Sequence, residues 1–559
     1  MNKIYSLVFF VFLNFTLYSQ TVYQHVSDKS LYEFLDELAN EHLIILNTSI
    51  KPYSRKLIAE KLVEANAKKE LLSKRQIKEI EYYLNEFSLE TDILPKSTLN
   101  LYQKGDSLKI GVLIPEIAWN TDLAKILIRP IYGIRYFVKA KDHFYASYGG
   151  AEALAYVGKN FGIYASLRDN YQDKYVLAQP SYFTNQMGGN YKLNEGGRPG
   201  GDFSEMRGGI TYSWKWGDFS LVKDHLQWGD NYNGSNIFSG RTPSFAMLKL
   251  HLKPAKWFDF NYFHGWLVSE VLDSSQSYMT TNGDYRKVFT NKYIAANMYT
   301  VSPWKRFNLS IGNSIVYGDM PVQAAYLIPF MFFKSMDHTI SHNIDNQNSQ
   351  MFINVSSRNI KHLHLYGSYF VDDFSVKKIT DSKKYNFVST KLGFRLSDFP
   401  FKNIALTTEF TQTMPITYKH RVPSITFETN QYNLGHYLRD NSQELFLAFE
   451  FKPYRTLKIA LSFIDAFHAN NYEYITANLP IIDAYPVLQN KTWSNQTFQF
   501  RTEYRPFANT SVFLEYAFSN IKGYAVDGKT AQNYLDMYSS PYLHGENNIF
   551  TFGFAFGFQ

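Results

Sequence analysis

The sequence predicts an all-β transmembrane protein: a closed antiparallel outer-membrane β-barrel of about 18 strands with a small N-terminal α-helical periplasmic segment. Three observations lead there. First, the chain ends Ile549-Phe-Thr-Phe-Gly-Phe-Ala-Phe-Gly-Phe-Gln559, with phenylalanine at 550, 552, 554, 556 and 558 and Thr551, Gly553, Ala555 and Gly557 between. Alternate side chains of a strand point to opposite faces, so one face is wholly aromatic, and lipid would cover it. Second, aromatic residues make up 17% of the 559 residues, including 43 Tyr and 46 Phe, yet mean hydropathy is only −0.30. Apolar surface delivered in alternation, not in blocks, is what barrel strands require. Third, short breaks recur about every 40–55 residues, the spacing of two membrane strands, a tight turn and a long loop.

The N-terminus fits export. Residues 1–19 carry Lys3, then an apolar stretch from Ile4 to Leu17, then Ser19, the pattern of a signal peptide. Leu17 departs from the small-residue preference before the cleavage site, and Asn14 interrupts a stretch already short for an anchor helix. The chain has no cysteine, which excludes a lipoprotein anchor, disulfides, thiol nucleophiles and cysteine metal sites. A closed ladder needs no such staples.

Residues 20–95 read as a helical periplasmic segment. Leu31, Phe34, Leu35 and Leu38 recur at helical spacing after Ser27-Asp28, a cap candidate. Ser54 precedes Leu57, Ile58 and Leu62, and Ser73 with Gln76 forms a capping box ahead of Ile77, Ile80, Leu84 and Phe87. These stripes could pack on one another, on the barrel rim or inside the lumen. A connecting segment, 96–126, follows, in which 98–118 has room for a further hairpin.

The barrel proper is expected over 127–559, from a first strand at 127–138 to a last at 548–558. Proline marks five breaks, at Pro254, Pro303, Pro400, Pro453 and Pro506, and Ser357-Arg358-Asn359 makes a sixth. Proline suits these turns because it fixes φ and cannot donate to a ladder. Tight turns of such barrels face the periplasm and long loops the exterior. Gly149-Gly150 is an awkward pair within the second strand. On the strands, Glu205, Arg207, Arg501 and Glu503 fall on the polar parity and are expected to face the lumen.

The long loops are where surface function is expected. Trp228-Gly-Asp-Asn-Tyr232 followed by Arg241 forms a candidate glycan-binding patch: Trp228 and Tyr232 could stack on sugar faces while Asp230 and Arg241 bond hydroxyls. The competing reading of any one aromatic is the interfacial girdle. Loop 317–349 carries an apolar run, Ala324 to Phe333, expected to fold into the barrel or against another loop because exposure would invite aggregation.

Catalytic motifs are lacking: no G-x-S-x-G, no H-E-x-x-H and no phosphate loop ahead of a helix. No enzyme activity, cofactor or metal is expected. Gly196-Gly197-Arg-Pro-Gly200-Gly201 reads as flexible loop. His362-Leu-His364 would put two imidazoles on one strand face, with no third ligand apparent. The net charge of +7 is spread over the barrel without a polybasic block, so nucleic acid is not an expected partner; acidic glycans or anionic lipid headgroups are.

Three stretches resemble the Wzi-type capsule assembly proteins, a family that includes the gliding-motility relative RemB of Bacteroidetes. They are Leu31–Ala39 with Lys51–Ala59; Arg207–Tyr212 through Gln227-Trp228-Gly229 to Arg241–Ser244; and Tyr326–Phe333 ending at Asp345-Asn346. The resemblance implies an eighteen-stranded barrel with a periplasmic helical part, acting as a lectin that holds capsular or extracellular polysaccharide at the surface of a Gram-negative cell. Alternatives are a gliding-motility component, working with other capsule or motility proteins of the outer membrane, and a passive channel.

Overall fold

The computed structural model describes residues 20–557 apart from 92–99, 105–107, 112–115, 194–199, 341–345, 374–385, 474–484 and 508. The stretch 1–19, expected to be a signal peptide, Phe558 and the glycine-rich positions 196–199 lie outside the described residues.

Eighteen antiparallel strands close into a barrel: β1 Ala124–Lys139, β2 Asp142–Val157, β3 Phe161–Gln172, β4 Gly201–Trp214, β5 Gly217–Asp224, β6 Phe245–Ala255, β7 Phe258–Leu272, β8 Phe289–Val301, β9 Phe307–Gly318, β10 Gln347–Ser357, β11 Leu363–Asp373, β12 Phe387–Ser397, β13 Ile404–Thr413, β14 Ser442–Tyr454, β15 Leu457–His468, β16 Trp493–Tyr504, β17 Thr510–Gly523 and β18 Gly545–Phe556. The phenylalanine strand closes the ring, with Phe550 opposite Val138 and Phe556 opposite Tyr132. Phe550 and Phe552 are about half exposed on the outside, while Thr551 and Ala555 are buried on the lumen side. The ring of Phe513 on β17 lies so close over Gly553 that a Cβ there would meet it at 2.1 Å.

β1 is longer than β18. Its first residues, Lys125 to Ile128, instead pair with Asn120 to Ile117. That strand, Glu116–Asn120, belongs to a three-stranded meander with Asn100–Lys104 and Leu108–Gly111. The hairpin expected near 98–118 therefore exists, but it extends one edge of β1 and adds no barrel strand. Within β2, Gly150 sits where β3 passes close, a Cβ there lying 1.8 Å from the Leu167 carbonyl, whereas Gly149 has open space beside it. Pro254 and Pro453 do not end their strands as expected. Each falls at a register shift near the strand end, between Leu252 and Ala255 and between Phe451 and Tyr454, where the ladder needs no N–H.

The helices α1 Lys29–Asn40, α2 Arg55–Asn66 and α3 Lys74–Glu86 lie at the short-turn end of the barrel. Ser54 caps α2 by accepting from Leu57 N, and Ser73 and Gln76 complete both halves of the capping box on α3. Asp28 does not cap α1; its carboxylate accepts from Gln24 at 3.0 Å. Leu31, Phe34, Leu35, Leu38, Ile58, Leu62, Ile80, Leu84 and Phe87 make the segment's own core. The polar side of α1 is buried as well, because it faces the barrel wall. Asp36 pairs with Arg358 at 2.8 Å, Asn40 donates to Ser397 at 3.0 Å, and Glu33 pairs with Lys458 at 2.5 Å. Arg75 reaches Asn403 and Lys452 approaches Glu79. Of the three placements open to the amphipathic helices, the structure combines mutual packing with docking into the short-turn mouth.

Glu41, just beyond α1, is pressed between Glu37 and Asp398 of the β12–β13 turn. Burial first, then these two negative neighbours, push its carboxyl from an ordinary 4.5 up to about 8. The folded protein thus holds a proton that the unfolded chain loses in this window, so the stability of the docked helical segment weakens as pH rises from 4.5 to about 8 and levels off beyond. Glu41→Gln should flatten that dependence, read as amide exchange of α1 across the same range.

Candidate functional site: the barrel lumen

A barrel of this strand number encloses an aqueous channel unless something fills it. Two of the long loops turn inward. Residues 225–244 descend into the lumen, where Trp228 pairs with Ile50 and Gln227 with Lys51 of the helical segment, and Gly229 N donates to Ser49 O at 3.0 Å. Residues 414–441 bring in Tyr418, Ile425, Phe427 and Leu434. With Phe263, Phe352 and Phe370 from the wall and Val22 from the N-terminal segment, they form an apolar core inside the barrel.

This arrangement decides the fate of the predicted glycan patch. Trp228 is 3% exposed, its ring edge-on to Phe238, Phe263 and Phe352. It is a core residue of the inward loop and not a sugar platform at a strand's outer end. Asp230 is half-buried and committed: its N–H donates to Asn354 Oδ1 at 3.1 Å and its carboxylate accepts from Asn354 Nδ2 at 2.9 Å. Burial raises its carboxyl above the usual range. Tyr232 N donates to Glu409 at 2.7 Å, and its hydroxyl donates to Asp36 at 3.1 Å. The Glu409 carboxylate is a hub. It also accepts from Asn233 N at 2.9 Å and Tyr366 OH at 2.7 Å, and pairs with Lys391 at 3.0 Å, both side chains fully buried. Arg241 differs. It stacks over Tyr437 at 4.8 Å, donates to Gln186 O at 3.1 Å, and burial pulls its guanidinium down to about 10.

Beside the packed half of the lumen lies a chamber of about 630 Å³. It runs along β1–β4 and β15–β18, from Glu86 and Arg505 at the short-turn end to Gln186 and Tyr191 of the 173–200 loop. Tyr232 and Arg241 reach it from the inward loop. Arg207 and Arg501 line it as well, with Glu503. Arg501 pairs with Glu515 at 3.2 Å and with Glu503 at 3.5 Å, and Arg207 lies 3.4 Å from Asp224. Glu205, buried behind them, lies 3.2 Å from His225 Nε2.

Other charged groups in the chamber sit beside aromatic rings. Arg135 stacks near Phe137, and Arg168 over Tyr148 at 5.0 Å. Among the described residues neither Arg135 nor Arg241 forms an ion pair, and the Tyr148 hydroxyl and Arg241 Nε have no hydrogen-bond partner. Arg135, Arg168 and Tyr148 were absent from the predicted site, although strand parity carried the signal. Arg135 shares its face with Gly133 and Phe137, and Arg168 with Ser166 and Asn170. His362 and His364 do not share a face. His362 occupies the turn, stacked near Phe399, with Nδ1 2.9 Å from Ser397 O, while His364 points into the lumen toward Ser356 and Tyr232.

No family model and no curated protein matches the sequence. Solved structures do match in fold. Wzi of Escherichia coli, described as an outer-membrane protein involved in group 1 capsule assembly and a carbohydrate-binding β-barrel, aligns over 97% of this chain and 100% of its own, with TM-score 0.55 and 11% identity. OccD3 of Pseudomonas aeruginosa aligns over 77% of this chain and 91% of its own (TM-score 0.40, 11% identity), and OccAB2 of Acinetobacter baumannii over 78% and 99% (TM-score 0.43, 10% identity). At these identities the likeness concerns the fold alone. That fold is the closed eighteen-stranded outer-membrane barrel.

Proposed function

We propose that the protein is a non-enzymatic outer-membrane protein that binds or anchors an acidic extracellular polysaccharide, with the long loops at the cell surface and the helical segment in the periplasm. The observation that carries this reading is the chamber. It combines tyrosine rings and amides, which suit sugar faces and hydroxyls, with Arg135 and Arg241, which form no ion pair among the described residues and suit a uronate or other anionic substituent. The fold likeness to a carbohydrate-binding barrel along the whole chain supports it. The test is retention of acidic and neutral oligosaccharides by the purified full-length barrel in detergent, paired with surface-polymer staining of a deletion strain. Retention of acidic chains and loss of cell-bound polymer is the expected pair of results; no retention and unchanged polymer would sink the reading.

A second reading, a channel, draws on the chamber's extent from the short-turn end to the 173–200 loop. Steady ion conductance of the wild-type barrel in planar bilayers would favour it over glycan binding.

A further inference from the structure

Residues 319–340, which follow β9, do not extend into solvent, nor do they enter the lumen. On β7, β8 and β9, the residues that alternate with the lumen-facing Phe263, Ile294 and Val316 form the outer wall. On that wall, Phe260, Ala295, Ile315 and Tyr317 are fully buried. What covers them is residues 319–340, including Tyr326 and Phe333, which share one apolar cluster with them. The segment descends the outside of the barrel until Phe330 stacks on Phe260, 4.7 Å between ring centroids. Phe260 is only two residues from the short-turn end of β7. The helix α4 Phe333–Ile340 then climbs back beside β9 and β10.

The wall beneath is built to receive this backbone. Asn297 and Asn313 are polar residues on the outer face, where hydrocarbon would make them costly. Asn297 donates to Pro329 O at 2.9 Å and to Met331 O at 2.8 Å, and Asn313 accepts from Phe333 N at 2.9 Å. Tyr262 donates to Tyr326 O at 2.9 Å and Tyr299 to Phe330 O at 3.0 Å. Irregular backbone is tolerated at membrane depth only when its polar groups are satisfied by protein in this way. The side chains left pointing outward are apolar. Leu327, Ile328, Phe330, Met331 and Phe332 are 38–55% exposed, and no charged residue occurs from Met320 to Phe333. They continue the exposed apolar wall of Trp266 and Ile311 on either side.

We infer that residues 321–333 form a lipid-embedded strap, a loop that returns into the membrane plane along the outside of the barrel and contacts acyl chains. The occupant is lipid because the exposed face is uncharged, continuous with the barrel's own apolar belt, and carried by backbone whose carbonyls at 326, 329, 330 and 331 and N–H at 333 are bonded to the wall. The strap would be withdrawn from the surface loops available to a glycan.

The chain's lack of cysteine makes the test direct. Phe330→Cys, Ile328→Cys and, on the exposed 273–288 hairpin, Thr281→Cys are each spin-labelled in the full-length protein reconstituted in phosphatidylethanolamine–phosphatidylglycerol vesicles. Oxygen should reach the labels at 328 and 330 in preference to a water-soluble nickel chelate, with the reverse order at 281. Nickel access at 328 and 330 matching that at 281 would overturn the strap, and so would shielding from both reagents, which would mean that a protein surface covers it. Adding Asn313→Leu should detach the strap and give the label at 330 nickel access. An unchanged label there would remove the wall's role.

Discussion

Glu409→Ala is expected to open the barrel. The substitution removes the acceptor that holds Tyr232 N and Asn233 N, and strands the fully buried Lys391 ammonium without its partner. Breaking one side of a buried ion pair typically costs about 3–5 kcal/mol, and here the two backbone donors of the inward loop are left unsatisfied as well. The cost falls on the contact between loop 225–244 and the wall, not on the eighteen-strand ladder. The predicted signature is therefore a variant that still folds as a barrel, shown by retained resistance to unfolding in cold detergent, but shows ion conductance well above wild type in planar bilayers. Wild-type conductance in a folded Glu409→Ala barrel would show that the loop is held by its apolar contacts, Trp228 to Phe263 and Phe352, without help from this hub.

Replacing the two arginines that form no ion pair among the described residues, Arg135→Gln with Arg241→Gln, should weaken binding of acidic oligosaccharides while leaving neutral ones nearly untouched. A hydrogen bond to a charged group contributes about 1.5–3 kcal/mol, so each lost contact should raise Kd by roughly ten- to a hundredfold. Calorimetric titration of matched uronate-containing and reduced, uncharged oligosaccharides separates this from general disruption. An equal loss for both would mean that the substitutions collapse the chamber. No loss for either would move the ligand away from it. The control is Arg501→Gln: its guanidinium is engaged by Glu515 and Glu503, and its removal should cost less acidic selectivity.

Strand parity carried most of the legible information. Charged positions such as Glu205, Arg207, Arg501 and Glu503 lie on the lumen side because every second side chain of a strand shares a face, a rule that needs only neighbours in sequence. The same rule would have drawn attention to Arg135 and Arg168. It would also have flagged Asn297 and Asn313 as polar residues on the lipid parity, the one local hint that something covers that wall. The capping box at Ser73 and Gln76 was legible for the same reason, since it closes within four residues. Trp228 was misleading because aromatic content near a strand end says nothing about which way the loop turns.

By itself the sequence determined the barrel: its alternation, the repeat of its turns, the closing phenylalanine strand and the helices that precede them. Only the tertiary structure decided where the loops go. One enters the lumen because Glu409, Asn354 and the Ile50–Lys51 edge wait there, 177, 124 and 176–178 residues away along the chain from the groups they bind. Another lies along the outer wall because Asn297 and Asn313 satisfy its backbone. Strand formation is driven by local periodicity and a uniform lipid environment, whereas loop placement depends on partners distant in sequence that come together only once the barrel has closed.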